Sequence, residues 1–355
     1  MPSTPLRLLQ RPLSRFNREV RDGYANRASV PLRRQLAAWR RGFYANHSLM
    51  YDFDRFGFDA YVSDLQRATK VEPLNDPVQR NLLNDKLVSF LFLRSIGAPT
   101  PEVYGYTNGE RTVFLAEQDE RGGIERLLET KRKLVLKPRG ASGGDRFCLL
   151  EQHGDTTSVN GQPGGEVRGC LQGSVVISEF IEQHEYARDV YPRATNTLRL
   201  LTLRDSDSGE PFVGTAIHRF GTERSKPVDN TRKGGLPARV EVQTGVLGPL
   251  AAMPGYYAPG HVRVQWHDVH PDTGVRVKGM KVPYWAEIVN EIRRVMLSME
   301  GLRCVGWDVA VTRDGFTIIE GNNRPDVIMQ VFRPFLVEER IRRFFQDNGV
   351  VTATT

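Results

Sequence analysis

The segment that most constrains the fold runs Val305-Gly306-Trp307-Asp308-Val309-Ala310-Val311, then Thr312-Arg313-Asp314-Gly315, then Phe316-Thr317-Ile318-Ile319-Glu320-Gly321-Asn322-Asn323. Two apolar runs joined through Asp-Gly read as a β-hairpin. A three-residue loop Arg313-Asp314-Gly315, with glycine in the left-handed position, puts Asp308 directly opposite Glu320. Asn322 then shares their face, because side chains two apart on a strand point the same way. Opposed like charges on a strand pair are destabilising, so a bound cation is a physical reason for the arrangement. Two carboxylates and an amide oxygen are hard donors suited to Mg²⁺. The alternative is that Asp308 begins a surface strand and Glu320 ends one.

Upstream, residues 75–96 read as one helix, with Asn75 or Asp76 as N-cap, Pro77 in the first turn and Gly97 as the stop. Strands follow at Thr112–Ala116, Lys133–Lys137, Phe147–Leu150 and Val175–Ile181, then near Thr197–Leu203, Phe212–His218 and Ala238–Val242. Helices are expected at Tyr284–Met299 and 334–347. The elements mix without regular alternation, so the expected class is α+β, two halves around a cleft. The expected organisation is an Arg-rich helical region over 1–75, a first half over 76–182 and a second over 183–349.

Charge is unevenly placed. Residues 1–50 hold ten arginines against Glu19 and Asp22, whereas the remaining residues carry 39 basic and 40 acidic side chains. The pI of about 9.4 thus belongs to the N-terminal arm and does not support nucleic-acid binding by the body. Within that arm Leu32, Leu36, Trp39 and Phe43 recur at helical spacing. They predict a helix docking its apolar stripe onto the body, or contact with an anionic surface such as a membrane. The Arg-rich, acid-poor start also resembles a transit peptide. No apolar run is long enough to cross a bilayer, the longest lying around Leu87–Leu93. Three scattered cysteines, Cys148, Cys170 and Cys304, predict reduced thiols and a cytoplasmic protein.

Three further segments carry chemistry. The strand Lys133–Lys137 opens through Pro138 and Arg139 into Gly140-Ala141-Ser142-Gly143-Gly144. There backbone N–H groups can approach phosphate oxygens beside Lys137, although a glycine-rich hairpin turn with a solvated lysine is the commoner meaning of such a segment taken by itself. The strand Val175–Ser178 ends in Glu179-Phe180-Ile181-Glu182, placing acids where an adenine amino group and ribose hydroxyls could donate. Finally, Arg199 and Arg219 lie on or just after strands and are followed by the loop Asp229-Asn230-Thr231-Arg232-Lys233-Gly234-Gly235. Arginine suits bidentate phosphate or carboxylate contact. No Ser/His/Asp or Cys/His set stands out; His218, His267 and His270 are candidate general bases.

In this order, Asp85-Lys86, Lys137-Pro with its glycine-rich lid, the Glu179 strand, the strand arginines, the Asn230…Gly-Gly loop and Asp308…Glu320-x-Asn322 resemble the ATP-grasp fold over roughly residues 80–330. Asn196-Thr197-Leu198-Arg199, Val228-Asp229-Asn230, His270-Pro271-Asp272-Thr273-Gly274 and Gly306-Trp307-Asp308 resemble the sugar-transfer associated branch. The resemblance implies two α+β subdomains clamping ATP. Lys86, Lys137, Gly143 and Gly144 would contact phosphates, and Glu179, Phe180 and Ile181 adenine. Glu182 or Glu185 would hold ribose. Asp308, Glu320 and Asn322 would bind one or two Mg²⁺, with Mn²⁺ as a substitute. Arg199, Arg219 and Asn230 would face the γ-phosphate, while Arg324, Gly234 and Gly235 would take substrate. The implied reaction is a carboxylate–amine ligation through an acyl phosphate. A kinase of the same fold and a non-catalytic scaffold are its rivals.

Overall fold

The computed structural model describes residues 30–108, 111–115, 123–140, 146–254, 263–323, 325 and 327–352. Among them the strands build two seven-stranded antiparallel sheets, in agreement with the α+β expectation. The first contains β1 (Val103–Thr107), β2 (Thr112–Phe114), β3 (Lys133–Pro138), β4 (Cys148–His153), β5 (Thr156–Val159), β6 (Gln162–Pro163) and β7 (Val175–Glu179), in the order β2-β1-β7-β3-β4-β5-β6. The second contains β8 (Thr197–Arg204), β9 (Pro211–Phe220), β10 (Leu236–Val240), β11 (Leu247–Ala252), β12 (Gln265–His267), β13 (Cys304–Thr312) and β14 (Gly315–Asn322), in the order β12-β11-β10-β9-β8-β13-β14.

Each sheet is covered by helices whose apolar residues recur at helical spacing. Helix α1 (Leu32–Arg40) starts the described chain, and α2 (Lys86–Ser95) precedes β1. On the first sheet, α3 (Gly123–Lys131) buries Ile124, Leu127 and Leu128 against Leu134, Leu136, Leu150 and Ile177. On the second, α4 (Trp285–Leu297) buries Ile288, Ile292, Val295 and Met296 against Leu198, Leu200 and Val309. Part of the opposite face is covered by α5 (Glu339–Asp347), where Ile341, Phe344 and Phe345 meet Leu201, Leu203 and Ile217. The rest of that face stays polar and carries the site. The N-terminal region shares this half's packing: Phe43, Tyr51 and Tyr61 cluster with Ala251, Met253 and Ile328.

Helix α2 is wedged between the halves. Leu93 enters the large core of the second sheet, while Leu87 and Phe90 pack with Val103 and Val176 of the first. The single helix expected over 75–96 is broken. A short turn at Asn81–Asn84 ends at Asp85, which is extended (φ −115°, ψ 114°) and caps α2 by accepting from the Leu87 and Val88 N–H groups. An aspartate competes with the helix for its own backbone and prefers that capping position.

Two other expectations change. The hairpin turn has two residues, Arg313 and Asp314, since Thr312 pairs with Gly315. Asp308 still faces Glu320, because the register shifts by one between Asp308 and Val309 and leaves Ile319 as a bulge. The cysteines are also not all free: Cys148 and Cys170 form a disulfide with Cα atoms 5.9 Å apart, and only Cys304 is a free, buried thiol. They lie 22 residues apart, but the β4–β6 meander folds back and brings them together.

Candidate active site

The polar face of the second sheet is assembled by cross-strand register. Asp308 on β13 pairs with Glu320 on one side and with Arg199 of β8 on the other, and Thr197 of β8 pairs with Arg219 of β9. Directly opposed residues share a face, so these five side chains converge. Arg199 grips Asp308 through two contacts, Nε to Oδ1 and Nη2 to Oδ2, the latter at 2.8 Å. Arg219 Nη2 lies 3.1 Å from Asp308 Oδ2. Burial pushes the Asp308 carboxyl up, but the two guanidiniums overcome it and hold the group at about 2.

The first half contributes cations. Lys86, the first residue of α2, reaches Glu320 Oε2 at 3.3 Å. Lys137 near the end of β3 is half-buried and lies in the field of Glu320, Lys86, Asp308 and Asp229; burial lowers its pKa and Glu320 pulls the other way. Arg139 ties the root of the glycine-rich segment to this corner. Its Nε donates to Asp85 Oδ1 at 3.0 Å, and its carbonyl accepts from Lys86 N–H at 3.1 Å. The strand ending, the cap and the lysine are thus tied together by hydrogen bonds.

Asn322 donates its amide Nδ2 to Gly306 O at 3.2 Å, which leaves the amide oxygen as its acceptor end. The donor set at this corner, two carboxylates and an amide oxygen, fits a hard dication. Among the described residues no group of three His, Cys, Asp or Glu could hold a metal, so an ion here needs further oxygens.

The loop after β9 is held rigidly against the sheet. Asp229, which the sequence reading left out of the site, is buried. Its Oδ2 accepts from Thr197 N–H at 2.9 Å and from the Thr197 hydroxyl, and lies 3.4 Å from Arg219 Nε. Burial raises its pKa more than Arg219 lowers it. Asn230 accepts from Arg232 N–H at 2.8 Å and caps the turn Thr231–Lys233, which ends at left-handed Gly234. Gly235 is required by a close approach: a Cβ there would lie 2.1 Å from the Asp229 carbonyl oxygen. The only sequence signal for Asp229 was its place in Val228-Asp229-Asn230. For Asp85 and Arg139 it was their position beside Lys86 and Lys137.

The Glu179 carboxylate accepts from Glu102 N–H at 3.0 Å at the end of β7. Phe180 is half-buried with Lys133 Nζ 4.7 Å from its ring centre, Ile181 is buried, and Glu182 and Glu185 are exposed. Gly143, Gly144 and Arg324 fall outside the described residues. Two of the three histidines are not free to act as bases. His218 Nδ1 donates to Arg219 O at 3.1 Å and its Nε2 accepts from Tyr186 OH at 2.6 Å. His270 Nε2 donates to Gly221 O at 2.8 Å while Nδ1 accepts from Asp272 N–H at 3.3 Å.

Two antiparallel-sheet halves joined through α2, with lysines from one facing carboxylates and arginines of the other, define a protein of the ATP-grasp fold. The chain belongs to the sugar-transfer associated ATP-grasp family, whose model matches residues 66–343. No curated protein matches it. Similar solved structures include N5-carboxyaminoimidazole ribonucleotide synthetase from Thermotoga maritima, with 13% identity, 79% of this chain and 52% of that chain covered, and a TM-score of 0.42. They also include the ATP-grasp ligase PsnB with a minimal precursor (14% identity, 74% and 57% covered, TM-score 0.36). A third is D-alanyl-alanine synthetase A from Vibrio cholerae O1 biovar eltor str. N16961 (9% identity, 76% and 67% covered, TM-score 0.44). The chain spans about half the length of the first of these.

Proposed function

We propose that this protein is an ATP- and Mg²⁺-dependent ligase that joins a carboxylate to an amine through an acyl phosphate. The observation that carries this reading is the convergence of Arg199, Arg219 and Lys86 on facing Asp308 and Glu320. Such a set can neutralise a polyphosphate and a carboxylate together, and it offers no proton relay. Phosphoryl transfer needs positioning and charge stabilisation more than proton chemistry.

In the proposed reaction a substrate carboxylate oxygen attacks the γ-phosphorus, and the bond to the bridging oxygen breaks to release ADP. The amine then adds to the acyl carbon, phosphate leaves with its oxygen, and the amine proton passes to solvent. Lys86 and Lys137 would bind phosphate oxygens, with Gly143 and Gly144 covering them. Arg199 and Arg219 would grip the transferred group and the tetrahedral oxyanion, with Asn230 beside them. Asp308, Glu320 and Asn322 would hold Mg²⁺, which when bound supplies charge neutralisation at the phosphates. Because both Asp308 oxygens are engaged by guanidiniums, the ion is best accommodated together with nucleotide oxygens. Glu179, Phe180 and Ile181 would border adenine, Glu182 or Glu185 the ribose, and Gly234, Gly235 and Arg324 the acceptor substrates.

The test is hydroxylamine trapping with ATP, Mg²⁺ and a panel of amino acids, short peptides and uronic acids. The expected outcome is hydroxamate from the wild type and a loss of about 10²–10³-fold in Glu320→Gln, the usual effect of removing one transition-state contact. A stable phosphorylated product with ADP and no hydroxamate would replace the ligase with a kinase. Near wild-type turnover in Glu320→Gln would remove Glu320 from the metal site.

A further inference from the structure

Helix α1 does not dock the stripe its sequence implies. Phe43 is buried and Trp39 half-buried, but the residues that α1 itself turns inward are Gln35 and Ala38. Gln35 is fixed there by donating to Val30 O at 2.7 Å. Leu32 and Leu36 remain 45% and 43% exposed.

At 100° per residue, Leu32, Leu36 and Arg40 follow one line along the outward side, with Arg33 beside them. Arg33 and Arg40 are exposed, and neither has an ion-pair partner among the described residues, whereas Arg34 reaches Asp54 at 3.4 Å. The helix LRRQLAAWR contains no acid. The outward face is therefore apolar along one edge and cationic along the other. It sits in the stretch of chain where ten arginines face two acids, although the remaining sequence is close to neutral.

We infer that this face of α1 rests on an anionic lipid surface. The helix would lie in the plane of the membrane, with Leu32 and Leu36 at the acyl boundary and Arg33 and Arg40 on lipid phosphates. The leucines decide between partners: a nucleic acid or an acidic polysaccharide rewards the guanidiniums alone and leaves two half-exposed leucines in water. No described helix is long and apolar enough to cross a membrane, so the contact is peripheral. The inference is independent of the ligase reading, since none of these residues belongs to the site.

The experiment is co-sedimentation of the full chain with vesicles of phosphatidylcholine alone and of phosphatidylcholine with one third phosphatidylglycerol. The wild type should bind the second and not the first, and added salt should weaken binding. Arg33→Glu with Arg40→Glu should lower binding by about tenfold or more. Leu32→Ser with Leu36→Ser should lower it by several-fold with an unchanged unfolding midpoint. Three outcomes would overturn the inference: no binding to the anionic vesicles, unchanged binding by the leucine pair, or equal binding to duplex DNA. A lowered midpoint in the leucine pair would overturn it too, since the leucines would then be packing on the chain itself.

Discussion

His218 illustrates how a residue that reads as chemistry becomes architecture. It lies one position before Arg219, but its ring points to the other face of β9, where it stacks on Phe220 with ring centres 4.2 Å apart. Burial drives its pKa down from 6.5 to about 3. The folded chain therefore refuses a proton that the unfolded chain accepts, so the stability tied to His218 is complete above pH 6.5 and falls as pH drops toward about 3. The loss is at most about 1.4 kcal/mol per pH unit. His218→Phe should flatten this slope while costing about 1–3 kcal/mol at neutral pH, because Tyr186 OH loses its acceptor. Urea unfolding of both proteins at about pH 7.5 and about pH 5 measures the difference, and equal slopes would free His218 from that role. Arg199, Arg219, Lys86, Lys137, Asp308 and Glu320 were legible as site residues, whereas Asp229, Asp85 and Arg139 were not. Burial was not legible either, because alternation along β9 shows only that His218 and Arg219 face opposite ways, not which face is sealed by α4.

At the scale of elements, the corner where α2 begins joins the two halves. Asp85 is at once the cap of α2 and the partner of Arg139, and Lys86 after it reaches Glu320. Asp85→Ala should lower stability by about 0.5–2 kcal/mol through the cap, with a further loss from the stranded guanidinium. Asp85→Asn, which keeps an acceptor, should recover most of the cap contribution and none of the charge. Denaturant titration of the three proteins separates the two, and an Ala variant as stable as the wild type would count against the corner. The break at Asp85 was hard to see in sequence because Leu82, Leu83, Leu87 and Phe90 continue a helical apolar spacing through it. The hairpin shows the reverse. The Asp308–Glu320 pair was legible although its turn was not, since a two-residue turn plus a bulge at Ile319 gives the same register as a three-residue loop at that depth.

Across the whole molecule, the Cys148–Cys170 link is the clearest departure from what composition implies. Alkylation of the denatured, unreduced protein should modify one thiol, that of Cys304, and all three after reduction. Three modified thiols without reductant would mean that the pair stays reduced in solution. Cysteine count carries no information on how a meander brings two of them together. The same limit applies to the site. The sequence by itself determined the two-residue period of the strands, the helical spacing of α4 and α5, the types of the charged residues and their order along the chain, whereas α3 went unread. Tertiary structure alone decided that Arg199 and Arg219 both close on Asp308, that Asp229 locks Thr197 and that Lys86 crosses to Glu320. Arg199 and Asp308 are 109 residues apart, and their contact exists only because β8 and β13 pair in one register. Local sequence sets which way a side chain points, whereas long-range strand pairing and the helix sealing the far side set what it meets.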